Sequence, residues 1–87
     1  MTSINHVVSR NLGSVKYRFP NNYGASVVQN EYSYGGDAGY YEIAVLKFHS
    51  DNNEDYTLDY DTSVTNDVIG WVCPTEIDKY LAKIESL

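Results

Sequence analysis

The sequence predicts an α+β domain, a four-stranded antiparallel β-meander with a C-terminal amphipathic helix packed on one face. Two observations predict this fold. Apolar segments with period-2 alternation recur between turn clusters over residues 15–60, which is typical of sequential antiparallel strands. From residue 77 onward the apolar period becomes that of a helix. Because 87 residues are too few for two cores, residues 1–87 are interpreted as a single domain.

The first two predicted strands flank a short turn. Residues 15–19 alternate between apolar and basic side chains and end at a proline, which indicates a half-buried strand. Residues 20–24 are turn formers, and residues 25–31 form the second strand. Residues 1–12 lack such a pattern and are interpreted as an N-terminal segment, either flexible or at the sheet edge.

The third predicted strand is the strongest in the chain. Residues 40–49 are apolar on both faces, which indicates a central strand that is covered on at least one side. A glycine-rich break at residues 35–39 precedes it, and a polar turn at residues 50–53 follows. Residues 56–60 form the fourth strand, with a polar outer face.

The C-terminal helix is predicted from one apolar stripe. Its members are Ile77, Tyr80, Leu81, Ile84 and Leu87. Pro74 suits the first helical position, where its missing N–H costs nothing.

The segment before the helix is ambiguous. Residues 65–70 fit either one helical turn capped by Thr65 or a short edge strand, and the turn is favoured. Trp71 and Val72 are then expected to pack beneath the sheet.

The net charge of −6 lies in one third of the chain. Residues 48–78 contain eight acids and no Lys or Arg, whereas residues 1–47 contain four bases against three acids. Such a field repels phosphate backbones and anionic lipids, so neither nucleic acid nor a membrane is an expected direct partner. It attracts a basic protein surface. The alternative is that the acidic stretch only keeps the protein in solution.

The sequence predicts no enzyme: no catalytic residue, metal site or cofactor is expected. Residues 51–62 resemble a calcium loop, but Tyr56 replaces the required Gly and Thr62 the closing Glu. Cys73 has no base nearby in sequence to activate it. The lone cysteine and the absence of a secretory signal favour the reducing cytoplasm.

Two segments are candidates for binding a partner. Tyr32, Tyr34 and Tyr40 lie among Ser and Gly, a composition favoured in binding loops, although they would also suit cross-strand pairing in a hairpin. The acidic candidates are Asp55, Asp59 and Asp61. Because the two segments flank the strand at residues 40–49, they are expected at opposite ends of the sheet.

Four segments carry a resemblance to a known group of proteins. They are residues 23–28 (YGASVV), 44–48 (AVLKF), 58–62 (LDYDT) and 67–71 (DVIGW). Over residues 19–87 the chain resembles small uncharacterised accessory proteins of tailed bacteriophages. The resemblance implies a phage protein that acts in the host bacterial cytoplasm, and it implies no particular activity. Those proteins carry Thr or Ser before the last helix, whereas this chain has Cys73, which implies a weaker cap.

Two functions fit these observations. The first is a phage protein that binds, and inhibits or redirects, a host protein with a basic surface, such as a nucleic-acid-handling or defence enzyme. The alternative is a non-inhibitory interaction or assembly module, such as a homodimer formed through an exposed strand or the Tyr-rich hairpin. Salt discriminates between them, because acidic docking weakens at high ionic strength whereas an apolar interface does not.

Overall fold

The computed structural model describes residues 6–11, 13–31, 33, 35–63 and 68–87, which form six antiparallel strands and one α-helix. The strands are β1 (Val7–Asn11), β2 (Ser14–Arg18), β3 (Tyr23–Val28), β4 (Tyr41–Phe48), β5 (Tyr56–Leu58) and β6 (Ile69–Val72). A 3₁₀ turn, Pro74–Glu76, leads into the helix α1 (Ile77–Glu85). The predicted α+β class and C-terminal helix are confirmed. The predicted four strands become six, because β1 and β6 also pair into the sheet.

Strand β4 is central, as its two apolar faces indicate. Leu46 pairs with β3 on one side and with Leu58 of β5 on the other. Ile43 pairs with β3 and, on its other side, with Ile69 of β6. Strands β5 and β6 therefore lie end to end along the same edge of β4, opposite β3.

The helix covers one face of the sheet and completes its core. The buried members of this core are Phe19, Ala25, Val27, Ile43, Val45, Val72, Leu81 and Ile84. Ile77, Tyr80 and Leu87 of the predicted stripe pack against it from the helix side. Asn21 closes the C-terminal end of α1, because its amide nitrogen lies 3.0–3.1 Å from the carbonyl oxygens of Ile84, Glu85 and Leu87.

The opposite face of the sheet has its own buried row, formed by Ala44, Leu46 and Phe48 of β4. Basic side chains of β2 cover part of this row. The Arg18 guanidinium lies 4.6 Å from the centre of the Phe48 ring and donates 2.7 Å to the Ser50 carbonyl oxygen. Arg18 thereby ties β2 to the turn that follows β4.

The segment before the helix corrects two expectations. Thr65 lies outside the described residues, and the favoured helical turn is wrong for Ile69 and Gly70, which belong to strand β6. Trp71 does not pack beneath the sheet, since 62% of it is exposed, whereas Val72 is buried. Strand alternation explains the difference, because consecutive side chains point to opposite faces of a sheet, so Trp71 and Val72 cannot both face the core. Trp71 also has a left-handed backbone (φ 56°).

Candidate functional site

The candidate site is the side of β5 and β6 that faces away from β4, where no other described strand pairs. Both strands pair along β4, which is about 24 Å long at roughly 3.4 Å per residue. We call this strip the outer edge. Its β5 end carries Asp55, Leu58, Asp59, Tyr60 and Asp61, the acidic patch. Its β6 end carries Tyr40 and Trp71, the aromatic pair.

The acidic patch places apolar side chains in solvent among carboxylates. Leu58 is 46% exposed and Tyr60 is 43% exposed. The Asp59 amide donates 2.9 Å to the Val45 carbonyl oxygen, so the chain follows β4 one residue beyond β5. The Asp59 carboxylate accepts a 2.9 Å hydrogen bond from the Asp61 amide, which orders the backbone around Tyr60. The patch is therefore ordered by backbone contacts that leave its apolar side chains exposed.

The turn before β5 is held by its own polar groups. The Asn52 side-chain oxygen accepts 2.9 Å from the Glu54 amide, and the Asn52 carbonyl oxygen accepts 3.0 Å from the Asp55 amide. The His49 amide donates 2.9 Å to the Asp55 carbonyl oxygen and closes the turn. These bonds form a polar hairpin turn over the segment that resembles a calcium loop. Among the described residues, no group of three or more His, Cys, Asp or Glu is arranged to hold a metal ion.

The aromatic pair is built on a glycine. The rings of Tyr40 and Trp71 have centroids 5.7 Å apart at an angle of 55°. A Cβ atom added to Gly35 would come within 2.9 Å of the Trp71 indole, so this ring lies directly against the Gly35 backbone. The Gly35 carbonyl oxygen also accepts 2.9 Å from the Tyr40 amide. The turn between β3 and β4 thus positions both rings.

The structure places the predicted partner-binding residues as follows. Asp55, Asp59 and Asp61 lie in the acidic patch, and Tyr40 lies in the aromatic pair with 37% of its surface exposed. Tyr32 and Tyr34 lie outside the described residues. Tyr40 lies at the start of β4, whereas β5 pairs with the C-terminal residues of β4, and β5 and β6 share one edge of that strand. Tyr40 and the acids are thus at two ends of a single strip.

Sequence reasoning missed Leu58, Tyr60 and Trp71 as surface residues. The alternation in residues 56–60 indicates a polar outer face, with Leu58 and Tyr60 turned inward. The inward orientation is wrong, because Leu58 is 46% exposed and Tyr60 is 43% exposed, although Leu58 pairs with the buried Leu46. The acids that alternate with Leu58 and Tyr60 could have indicated this exposure, because an edge strand with little packed against it has both faces accessible to solvent.

A separate cleft of about 400 Å³ lies on the helix-bearing face, beyond the start of α1. Its lining includes Arg10, Val15, Tyr17, Tyr41 and Ile77. Burial raises the pKa of the Tyr17 phenol, the nearby Arg10 lowers it, and Asp78 and Tyr41 raise it further. The cleft combines apolar walls with phenol and guanidinium groups, and it is large enough for a small molecule.

Fold and edge together define the class of this protein, a small antiparallel α+β domain whose outer sheet edge exposes apolar and acidic side chains. Comparison of the chain with protein-family models, curated proteins and solved structures found no match. Among the described residues, no helix is long and apolar enough to cross a membrane.

Proposed function

We propose that the protein is a small acidic phage accessory protein that binds, and inhibits or redirects, a host bacterial protein with a basic surface. The phage setting and the host cytoplasm rest on the resemblance in sequence alone. Binding rests on the outer edge, and on the acidic patch above all.

The exposure of Leu58 and Tyr60 among three carboxylates is the observation that carries the proposal. Apolar side chains surrounded by a polar rim are the usual composition of a protein interface. Burial of Leu58 and Tyr60 favours a stable complex, whereas Asp55 and Asp61 favour rapid encounter with a basic surface. The carboxylates also disfavour a nucleic-acid or anionic lipid partner.

A free backbone edge adds a second mode of contact. Strand β5 pairs with β4 on one side, and no described strand pairs with its other side. A partner strand could add there through main-chain hydrogen bonds. The acids at this edge also prevent indiscriminate pairing, because like charges repel a second acidic edge.

Affinity capture from host lysate tests the proposal. The tagged chain is compared with the double variant Leu58→Ser and Tyr60→Ser, and bound proteins are eluted with increasing salt and identified by mass spectrometry. We expect a basic host protein that is retained by the parent chain, released by salt and lost from the double variant.

The matched control is Val8→Ser. Val8 is 37% exposed on β1, at the opposite edge of the sheet, so the variant removes a comparable apolar group away from the outer edge. It should retain the partner. If the double variant still captures the basic host protein and the Val8→Ser variant does not, the proposal is contradicted.

The second candidate is a non-inhibitory assembly module, specifically a homodimer. The exposed Val8 of β1 favours it, because β1 has β2 as its one neighbour among the described strands and edge strands of two copies can pair. Analytical ultracentrifugation discriminates the two functions. A dimer mass that Val8→Lys reduces to the monomer supports assembly, whereas a monomer at all concentrations removes this candidate.

A further inference from the structure

The aromatic pair has a property that the acidic patch does not explain. Trp71 is the chain's single tryptophan, and its indole rests with one side on Gly35 while 62% of the residue is exposed. An exposed tryptophan seated on backbone in this way presents a rigid aromatic face to solvent. Such faces attract cations through the electrostatic field of the ring.

The chain's own cations are already placed elsewhere. Five of its six Lys and Arg side chains lie over other rings: Lys16 over Tyr56, Arg18 over Phe48, Lys47 over Tyr23, and Lys79 and Lys83 over Tyr80. The sixth, Arg10, lines the cleft on the helix-bearing face. Among the described contacts, no lysine or arginine lies over Tyr40 or Trp71.

We propose that Tyr40 and Trp71 form a binding site for an arginine side chain supplied by the basic partner. This inference rests on the proposed function and names the chemistry that one end of the outer edge recognises. The planar guanidinium stacks on an indole better than the compact ammonium of lysine does. The charge is complementary, because Asp37 lies in the turn that supports the pair and the stretch that contains Trp71, residues 48–78, has eight acids and no base.

The site is preorganised, which favours affinity. The Gly35 carbonyl oxygen accepts from the Ala38 and Tyr40 amides, so the supporting turn is closed in the absence of a partner. Gly35 has a left-handed backbone (φ 82°) that accommodates the indole above it, since any side chain there would collide with the ring. An incoming guanidinium therefore meets two rings that are already in position.

Tryptophan fluorescence tests the proposal, since the signal comes from Trp71 alone. The probe is a synthetic arginine-rich peptide. The control probe is the same peptide with neutral citrulline in place of each arginine. At low salt we expect a saturable change in Trp71 emission with the arginine peptide and none with citrulline.

Binding of the labelled peptide, followed by anisotropy, extends the test to variants without the tryptophan. Trp71→Leu should weaken binding of the arginine peptide about fivefold, and Tyr40→Leu should weaken it severalfold. Tyr60→Leu removes an exposed aromatic side chain outside the pair and should have a smaller effect. Replacing arginine by lysine in the peptide should also weaken binding to the parent chain.

The outcomes distinguish this site from the proposed function. If the arginine peptide binds without changing Trp71 emission, and Trp71→Leu leaves its affinity unchanged, the arginine site is wrong while acidic docking stands. If binding requires Trp71 but is indifferent to Asp55→Lys and Asp61→Lys, the arginine site stands and the acidic patch loses its role. Absence of saturable binding of the arginine peptide at low salt also overturns the site.

Discussion

At the residue scale, Tyr17 links the cleft to the stability of the fold. Its phenol has a raised pKa, chiefly because burial disfavours the phenolate, with Arg10 opposing the shift. Folding therefore favours the protonated phenol. This contribution is fully present below the ordinary tyrosine pKa of about 10 and is lost as pH rises through the higher folded-state pKa.

We accordingly expect the free energy of unfolding to fall as pH rises above about 10, and Tyr17→Phe to reduce the steepness of that fall. Urea unfolding at a series of pH values measures it. The two proteins are first compared at neutral pH, where any difference reflects the lost hydroxyl alone. Identical pH dependence in parent and variant would show that the Tyr17 phenol ionises equally well in both states.

The contact between Asn21 and the end of α1 could not be predicted from any sequence pattern. Asn21 belongs to the predicted turn at residues 20–24, but its role depends on the helix more than sixty positions later. Its amide contacts the last carbonyl groups of α1, and its own Oδ1 accepts 3.0 Å from the Tyr23 amide. A turn residue whose partner is a helix end can be recognised only once the helix is docked.

Asn21→Ala should lower the free energy of unfolding by about 1–2 kcal/mol, because helix carbonyls lose their donor. The variant Asn21→Asp keeps the size but replaces the amide donor by a carboxylate beside the negative end of the helix. It should be at least as destabilising. Chemical denaturation measures both, and an unchanged midpoint for Asn21→Asp would show that the amide contributes nothing.

At the element scale, the sequence predicted β4 and α1 directly, whereas β1 and part of β6 were only open alternatives, an edge segment at residues 1–12 and a short edge strand at residues 65–70. Strand β4 is continuous in apolar residues, and α1 repeats them at helical spacing, so each pattern points to one structure. Strand β6 is four residues long, contains Gly70 and carries a left-handed residue at Trp71, so no alternation marks it. Strand β6 forms because it pairs with the part of the β4 edge that β5 does not reach, which depends on tertiary structure rather than on local sequence.

The helix is the element on which the two-layer architecture depends. Leu81 and Ile84 are fully buried against the sheet. Leu81→Ala should cost about 2–4 kcal/mol of unfolding free energy, a large share for a domain of this size. The control is Lys83→Ala on the exposed side of the same helix. If thermal melting shows the Leu81 variant within a degree or two of the parent, α1 is not part of the core.

At the scale of the whole molecule, the distribution of charge and the exposed side chains point to the same edge. The concentration of acids in residues 48–78 was evident from the sequence. The exposure of Leu58, Tyr60 and Trp71 was not, because it depends on which face α1 covers and where β4 leaves an edge. Sequence patterning therefore located the charge but not the apolar groups that accompany it.

The two parts of the outer edge should affect binding kinetics differently. Asp55→Lys and Asp61→Lys should slow association with the captured partner, with little change in dissociation at moderate salt, because exposed charges act mainly on encounter. Tyr40→Ala should speed dissociation, because a packed aromatic side chain retains the partner. Tyr34→Ala is expected to act in the same way. Surface plasmon resonance measures both rates.

Glu31→Lys is the matched control for charge reversal, since it makes the same change at an exposed residue outside residues 48–78. It should slow association less than Asp61→Lys does. Asp59 is retained throughout, because its carboxylate orders the Asp61 backbone. Equal slowing by Glu31→Lys and Asp61→Lys would mean that net charge alone governs encounter and that the acidic patch has no special role.

The central claim is that a partner docks along the outer edge, and hydrogen exchange of the complex tests it most directly. With the captured partner bound, the account predicts slowed amide exchange in residues 55–61 and 69–72, with β1 and β2 unchanged. Protection confined to β1 and β2, around Lys16 and Arg18, would contradict it and would place the binding surface toward the opposite edge of the sheet.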